Sequence, residues 1–262
     1  MEREVFGMLA SQRHNEIQAL LRQNGAVTIA GLMDTFGISM ETARRDLAAM
    51  EKSGLLTRVH GGALPPDTTQ IYRPLKDRMD QQHTQKLAIA KAAVALVEEG
   101  DYIAIGGGST ALVFAQALRK HIRKLTVVTY SLDVFEALRD LPDYTVLLTG
   151  GQLNTAERVF HGTATCQFLS SVYLCKCFIF PSLLSLEAGI TSYTQKLPQQ
   201  ILSMLEQCDQ VYVLADSTKF QKNATYQIVP MRQDFLYITD CDMPATLRNI
   251  YAANHLNFIF AE

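Results

Sequence analysis

Apolar positions in the first sixty residues recur with helical spacing. Ile17, Leu20 and Leu21 share one face of a helix predicted from about Ser11 to Gln23, which Asn24-Gly25 stops. Thr28 can cap a short second helix that buries Ile29, Leu32, Met33 and Phe36 and ends at Gly37. Ser39 can cap a third, from Met40 to about Ser53, with Ala43, Leu47 and Met50 as its apolar side and Gly54 closing it. Leu55 to Val59 then reads as a strand, Gly61-Gly62 as the turn of a wing, and Pro65 to Thr69 as linker.

Beyond the linker the pattern alternates between periods of 3.6 and 2. Helices are expected over Gln85–Glu98, from after Gly106-Gly107-Gly108-Ser109-Thr110 to about Lys120, over Leu132–Leu138 and over Leu197–Cys208. Strands are expected over Tyr102–Ile105, Leu125–Thr129, Thr145–Leu148, Cys177–Phe180, Val211–Leu214, Phe235–Thr239 and Asn257–Phe260, with a last helix before the final strand. Such alternation means a mostly parallel sheet covered by helices. The fold class is therefore α/β, an N-terminal winged helix-turn-helix followed by a mostly parallel α/β domain. The boundaries are 1–64 for the helix-turn-helix, 65–84 for a linker and 85–262 for the second domain.

Composition narrows the function classes. The chain of 262 residues is 48% hydrophobic, enough for real cores. Its longest apolar stretch, Leu87 to Val97, is short and carries Lys91, so no membrane span is expected. Glu2 and Glu4 leave no basic leader, so no signal peptide is expected and the cytoplasm is the expected compartment. The five cysteines at 166, 175, 177, 208 and 241 form no Cys-x-x-Cys pair and have no histidine at zinc spacing. They read as buried thiols in a reducing cell, with Cys175 and Cys177 alternating on one strand, and neither a metal nor a cofactor is expected.

Net charge is −2 overall, and within 1–64 the basic Arg3, Arg13, Arg22, Arg44, Arg45, Lys52 and Arg58 are matched by as many acidic residues. Any affinity for nucleic acid must then come from placement. A third helix after a short glycine-containing turn is where a major-groove reader belongs. Its exposed start offers Ser39, Met40, Glu41, Thr42, Arg44 and Arg45, the hydroxyls and forked guanidinium groups that phosphates and base edges require. Val27 and Thr28 before the second helix, and Lys52, Arg58 and His60 at the helix end and wing, complete the candidate DNA-binding set. Glu41, Asp46 and Glu51 either sit away from DNA or pair with these arginines.

The run from Arg13 to Ala63 resembles the helix-turn-helix of the DeoR family of bacterial transcription regulators. It carries GIS-x-x-T-x-RRDL-x-x-ME over Gly37 to Glu51 and G-x-L-x-R-x-HGGA over Gly54 to Ala63. The likeness continues from Arg78 and Lys86 through GGSTALVFAQAL, LLTGGQL, FHGTAT, AGIT and VLADSTKF to about residue 240. It implies an operator-binding regulator, more commonly a repressor, of carbohydrate or related genes, with a homo-oligomeric (dimeric or tetrameric) assembly. The second domain would resemble sugar-phosphate isomerases and bind a phosphorylated sugar or similar metabolite.

The residues partly agree. Gly107, Gly108, Ser109 and Thr110 open a helix and can cradle a phosphate. Thr129, Tyr130, Ser131, Gly150 and Gly151 lie at the ends of neighbouring strands, where ligands of parallel sheets bind. Gly162 offers a close backbone approach, and Asp216 and Lys219 match a family signature, Lys219 reading equally as ion-pair partner or ligand contact. Four positions depart from the family pattern: Gly106 and Cys175 stand where aspartate is usual, Tyr130 where asparagine is, and Gln85 where glutamate often precedes the lysine. They imply either an unusual effector or a weakened sensor. An isomerase is the competing reading from another class, but Gly106 removes the most suggestive carboxylate, leaving His161 and Asp216 as candidates. A nicotinamide site is disfavoured, because Thr129 and Tyr130 occupy the place of the acid that would hold a ribose.

Overall fold

The computed structural model describes residues 10–52, 55–59, 61–64 and 72–262. The chain divides into two compact units, Met1–Ile71 and Tyr72–Glu262.

In the first unit the order is α1 (Ala10–Asn24), β1 (Val27–Thr28), α2 (Ile29–Phe36), α3 (Met40–Lys52), β2 (Thr57–Val59) and β3 (Gly62–Leu64). The caps expected from sequence are formed. Thr28 Oγ1 accepts the Gly31 N–H at 3.0 Å, and Ser39 Oγ accepts the Thr42 N–H at 3.2 Å. Gly37 ends α2 with its own N–H on Met33 O. Ile17 and Leu21 of α1, Leu32 of α2, and Ala43, Leu47 and Met50 of α3 meet Leu56 and Ala63 in one core. Of the apolar positions expected to be buried in α2, only Leu32 is fully so; Ile29, Met33 and Phe36 are half-buried. The three strands form a small sheet in the order β1-β3-β2, with β2 and β3 as the wing. Gly54 and residues 65–69 lie outside the described residues.

The second unit begins with α4 (Leu75–Arg78), α5 (His83–Val94), β4 (Tyr102–Ile105), α6 (Ser109–His121), β5 (Leu125–Thr129), α7 (Leu132–Leu138) and β6 (Tyr144–Leu148). It continues with β7 (Gln152–Asn154), β8 (Val159–His161), α8 (Thr163–Ser170), β9 (Leu174–Ile179), β10 (Leu183–Ser185) and β11 (Gly189–Ser192). Last come α9 (Leu197–Leu205), β12 (Cys208–Leu214), a 3-10 turn at Ser217–Lys219, β13 (Tyr226–Val229), β14 (Leu236–Asp240), α10 (Ala245–Ala253) and β15 (Asn257–Ala261). Seven parallel strands run in the order β15-β14-β12-β9-β4-β5-β6. Ile103, Ile105 and Val127 point to one layer with Phe114 and Leu118 of α6 and Ile89 of α5. Ala104 and Val128 point to the other, with Ile201 and Met204 of α9 and Tyr251 of α10. This period-two division between two apolar clusters is what a doubly covered sheet requires.

Several boundaries depart from expectation. The stretch 65–84 is not linker throughout, because from Tyr72 onward it belongs to the second unit and includes α4. Helix α5 stops at Val94 and not Glu98. The next N–H groups, of Leu96 and Val97, turn to carbonyls three residues back, and the Glu98 N–H goes to the Asp101 carboxylate. Two antiparallel pieces, β7-β8 and β10-β11-β13, were not anticipated. The thiols are not uniformly buried: Cys177 is, Cys166, Cys175 and Cys208 are half-exposed, and Cys241 is exposed.

Candidate nucleic-acid interface and effector site

Arg44 lies on the side of α3 that faces the wing. Together with Ile29, Leu47, Arg58 and Val59 it lines an open groove between helix and hairpin. Arg45, one residue on, is turned by about 100° around the helix. Both arginines are exposed, and among the described residues neither guanidinium takes part in a hydrogen bond or ion pair. Arg58 is tethered: Glu51 of α3 accepts its backbone N–H at 3.0 Å and lies 3.7 Å from its guanidinium, which pins the wing to the helix. Asp46 does not pair with Arg44 or Arg45. It is buried and takes two hydrogen bonds from Arg13 of α1, at 2.6 and 3.0 Å, with His14 at 3.2 Å. Burial pushes its carboxyl pKa up, but Arg13 and His14 outweigh that and hold it below the usual value.

The other predicted contacts divide by exposure. Met40 and Glu41 are exposed at the start of α3. Ser39 and Thr42 share a hydrogen bond of 2.9 Å, and Thr28 caps α2, so these hydroxyls are partly committed to the helix starts. Val27 does not offer its side chain, which is buried in the core opposite Ala63 and leaves only backbone. The Lys52 side chain and His60 lie outside the described residues.

In the second unit the strand order reverses between β4 and β9, and the turn Gly106-Gly107-Gly108 leaves β4 at that point, with Gly106 N–H on Phe178 O. Open parallel sheets bind ligands in this crevice. Gly108 has φ 126°, a conformation open to glycine, and begins α6 with no side-chain cap. Ser109 and Thr110 are buried in the first turn, and Thr110 Oγ1 has no partner. A basic cluster adjoins them. A Cβ on Gly108 would lie 4.0 Å from the Arg78 guanidinium. Lys86 is buried with its ammonium on Arg78 O at 2.5 Å, and Lys219 donates to Pro181 O at 3.2 Å. Burial first, and then Lys219, push Lys86 down to about 8. Burial likewise lowers Lys219. Asp216 caps the 3-10 turn by accepting the Thr218 N–H at 3.2 Å.

A cavity of about 280 Å³ opens beside the glycine turn. Gly107 and Tyr130 line it together with Glu157, His161, Lys196 and Gln200. The other candidates play supporting parts. Thr129 Oγ1 donates to Ile105 O and accepts from Ser131 N, and Ser131 caps α7. Gly150 O accepts from Thr165, and Gly151 packs against the His161 carbonyl. Gly162 begins α8.

A family model described as a DeoR-like helix-turn-helix domain matches residues 13–69, and one described as the DeoR C terminal sensor domain matches 81–241. The chain belongs to the DeoR family. Curated relatives of this DeoR-family regulator include the lactose phosphotransferase system repressor of Lactococcus lactis subsp. lactis, 33% identical over 82% of this chain and 85% of the relative. Others are the HTH-type transcriptional regulator GolR of Listeria innocua, 31% identical over 89% and 91%, and the glycerol-3-phosphate regulon repressor of Escherichia coli K12, 28% identical over 95% and 98%. Among the described residues no helix is long and apolar enough to cross a membrane, and no cluster of three or more side chains could hold a metal.

Two departures from the DeoR pattern prove to be one packing change. Tyr130 is buried, and a Cβ at Gly106 would stand 3.0 Å from its hydroxyl. The phenol therefore fits because position 106 is bare. Sequence reading gave His161 only as a candidate of the isomerase reading, and it missed Glu157, Lys196 and Gln200 as cavity residues. Arg78, paired with Glu157, had appeared only as the start of a motif. The β7-β8 hairpin that carries Glu157 and His161 has strands of three residues, too short for a period to register.

Proposed function

We propose that this protein is a transcriptional repressor of carbohydrate or related genes that grips operator DNA through α3 and the wing. It would release the DNA when a phosphorylated sugar or similar metabolite fills the cleft of the second unit. The observation that carries the DNA half is the groove of Arg44 and Arg58, exposed guanidinium groups on a capped helix and a tethered hairpin. In that reading one of Arg44 and Arg45 reads bases while the other holds phosphate. Met40, Glu41 and Thr42 flank them, with Lys52 and His60 as further phosphate contacts. The sensor half rests on the bare start of α6 at the sheet crossover, surrounded by Arg78, Lys86 and Lys219. Gly107, Gly108, Ser109 and Thr110 would hold the phosphate, and Lys219 is then a ligand contact. The relatives named as repressors support the sign of the regulation.

The working form is a homo-oligomer in the cytoplasm, since one such helix contacts few base pairs and paired half-sites supply usable affinity. It is a regulator and not an isomerase. The place where a base would leave β4 is Gly106, filled by the Tyr130 phenol, and Asp216 is spent on its cap.

Selection from random duplex DNA with the full chain tests the first half. Recovery of a common, two-fold related sequence is expected; no enrichment contradicts it. Thermal melting against a panel of phosphosugars tests the second half. At least one should raise Tm, and Ser109→Glu should abolish the shift by repulsion. One observation favours a second reading, a weakened sensor: the buried Tyr130 ring already lies against Gly107 of the cradle, 3.5 Å from a Cβ built there. That reading gives no shift with any member of the panel.

A further inference from the structure

Three helices of the second unit begin without a side-chain cap at the walls of the same cavity. Gly107 precedes the start of α6, His161 precedes the start of α8 at Gly162, and Lys196 is itself the residue before α9. Helix α7 differs, since Ser131 caps it. At α6 and α8 an uncapped start leaves backbone N–H groups and the positive end of the helix dipole to whatever occupies the space in front; at α9 the Leu197 N–H goes to Thr194 O at 3.4 Å and Pro198 has none. The Gly107 wall adjoins the basic cluster of Arg78, Lys86 and Lys219. The far wall, where α8 and α9 begin, carries the single cation Lys196, whose ammonium reaches only the neutral Gln152 amide at 3.3 Å. His161 beside it is 7% exposed, and its Nδ1 has no hydrogen-bond partner.

We propose that the effector is a phosphorylated sugar acid, its phosphate on the Gly107–Thr110 turn and its carboxylate between Lys196 and His161. This rests on the sensor reading above and adds the second charge. One unpaired cation and a neutral imidazole match a single carboxylate, whereas the cluster at the first wall matches a phosphate. Burial and then Lys196 lower the pKa of His161, so it meets the ligand as a neutral hydrogen-bonding group. Glu157, the carboxylate in the lining, does not oppose the ligand. It is held by Arg78, by the Tyr72 hydroxyl at 2.5 Å and by the Leu75 N–H at 3.1 Å.

The test uses two acyclic probes that differ only at the end away from the phosphate: 6-phosphogluconate, with a carboxylate, and glucitol 6-phosphate, with an alcohol. Calorimetric titration of the full chain should give at least tenfold tighter binding of 6-phosphogluconate, and Lys196→Gln should bring the ratio of the two affinities close to one. A structural role for Lys196 would weaken both probes alike and leave the ratio unchanged. Equal affinities in the parent protein, or a ratio untouched by Lys196→Gln, overturn the proposal while the sensor reading stands. Binding of neither probe overturns the proposal, and if the wider phosphosugar panel is silent too, the sensor reading falls with it.

Discussion

Asp46 follows Arg44 and Arg45 directly, yet its carboxylate turns inward to Arg13 on α1. Helical rotation separates the roles: the arginines stay exposed while the acid braces the helix that presents them. Removing one member of a buried pair leaves the other charge uncompensated. Asp46→Ala should therefore destabilise the helix-turn-helix by about 3 kcal/mol, readable as early unfolding of that unit in a denaturant titration. Because its pKa is lowered in the folded state, its stabilisation is complete above the ordinary carboxylate pKa and is lost as pH falls through the folded value. Lys86 has the opposite sign. Its folded pKa of about 8 lies below the ordinary lysine value of 10.5, so between those limits the unfolded chain binds more protons. Its contribution to ligand-free stability should rise from pH 8 to 10, and Lys86→Met should remove that slope in melting curves. Equal slopes in the two proteins would exclude a buried, depressed lysine. Arg78, Lys219, Asp216 and Asp80 set the field around it.

At the scale of elements, α3 and the wing act together. If one arginine reads bases and the other phosphate, the single alanine variants should separate. One loses about 1–3 kcal/mol and relaxes sequence preference. The other weakens all duplexes evenly and lowers the salt slope by about one. Binding titrations at several salt concentrations distinguish them, and identical behaviour would contradict the division. Elements bounded by side-chain caps, α2 and α3, were legible in the sequence because Thr28 and Ser39 mark their starts chemically. The parallel strands were legible through their apolar runs. What escaped were strands too short for a period to register, and one that pairs with a distant partner. Strands β10 and β11 have three and four residues, and β13 pairs with β11 from far along the chain, Tyr226 opposite Ser192. The cavity was legible at Gly107 and Tyr130, and at His161 only as an isomerase candidate, but not at Lys196, whose place comes from where α9 begins. Val27 was misread because its position beside Thr28 suggested a contact, whereas strand pairing with Ala63 turns its side chain into the core.

For the whole molecule, repression relieved by a metabolite requires coupling between a DNA-binding unit and a sensing unit. Coupling of binding free energies is reciprocal. If the effector weakens operator binding tenfold, about 1.4 kcal/mol, saturating operator must weaken effector binding tenfold. Calorimetry with and without operator duplex checks this, and an effector affinity indifferent to DNA would mean that the sensor does not control the reader. Such a shift also requires the ligand to prefer one conformation, so tight binding alone is not enough.

The most direct test of the account is a fluorescence anisotropy titration of the selected operator duplex with the full chain and with the Arg44→Ala, Arg45→Ala double variant. The account predicts that the variant melts at the parental temperature yet shows no specific binding at a hundred times the parental Kd. Binding within twofold of the parent, in a variant that remains folded, would contradict it.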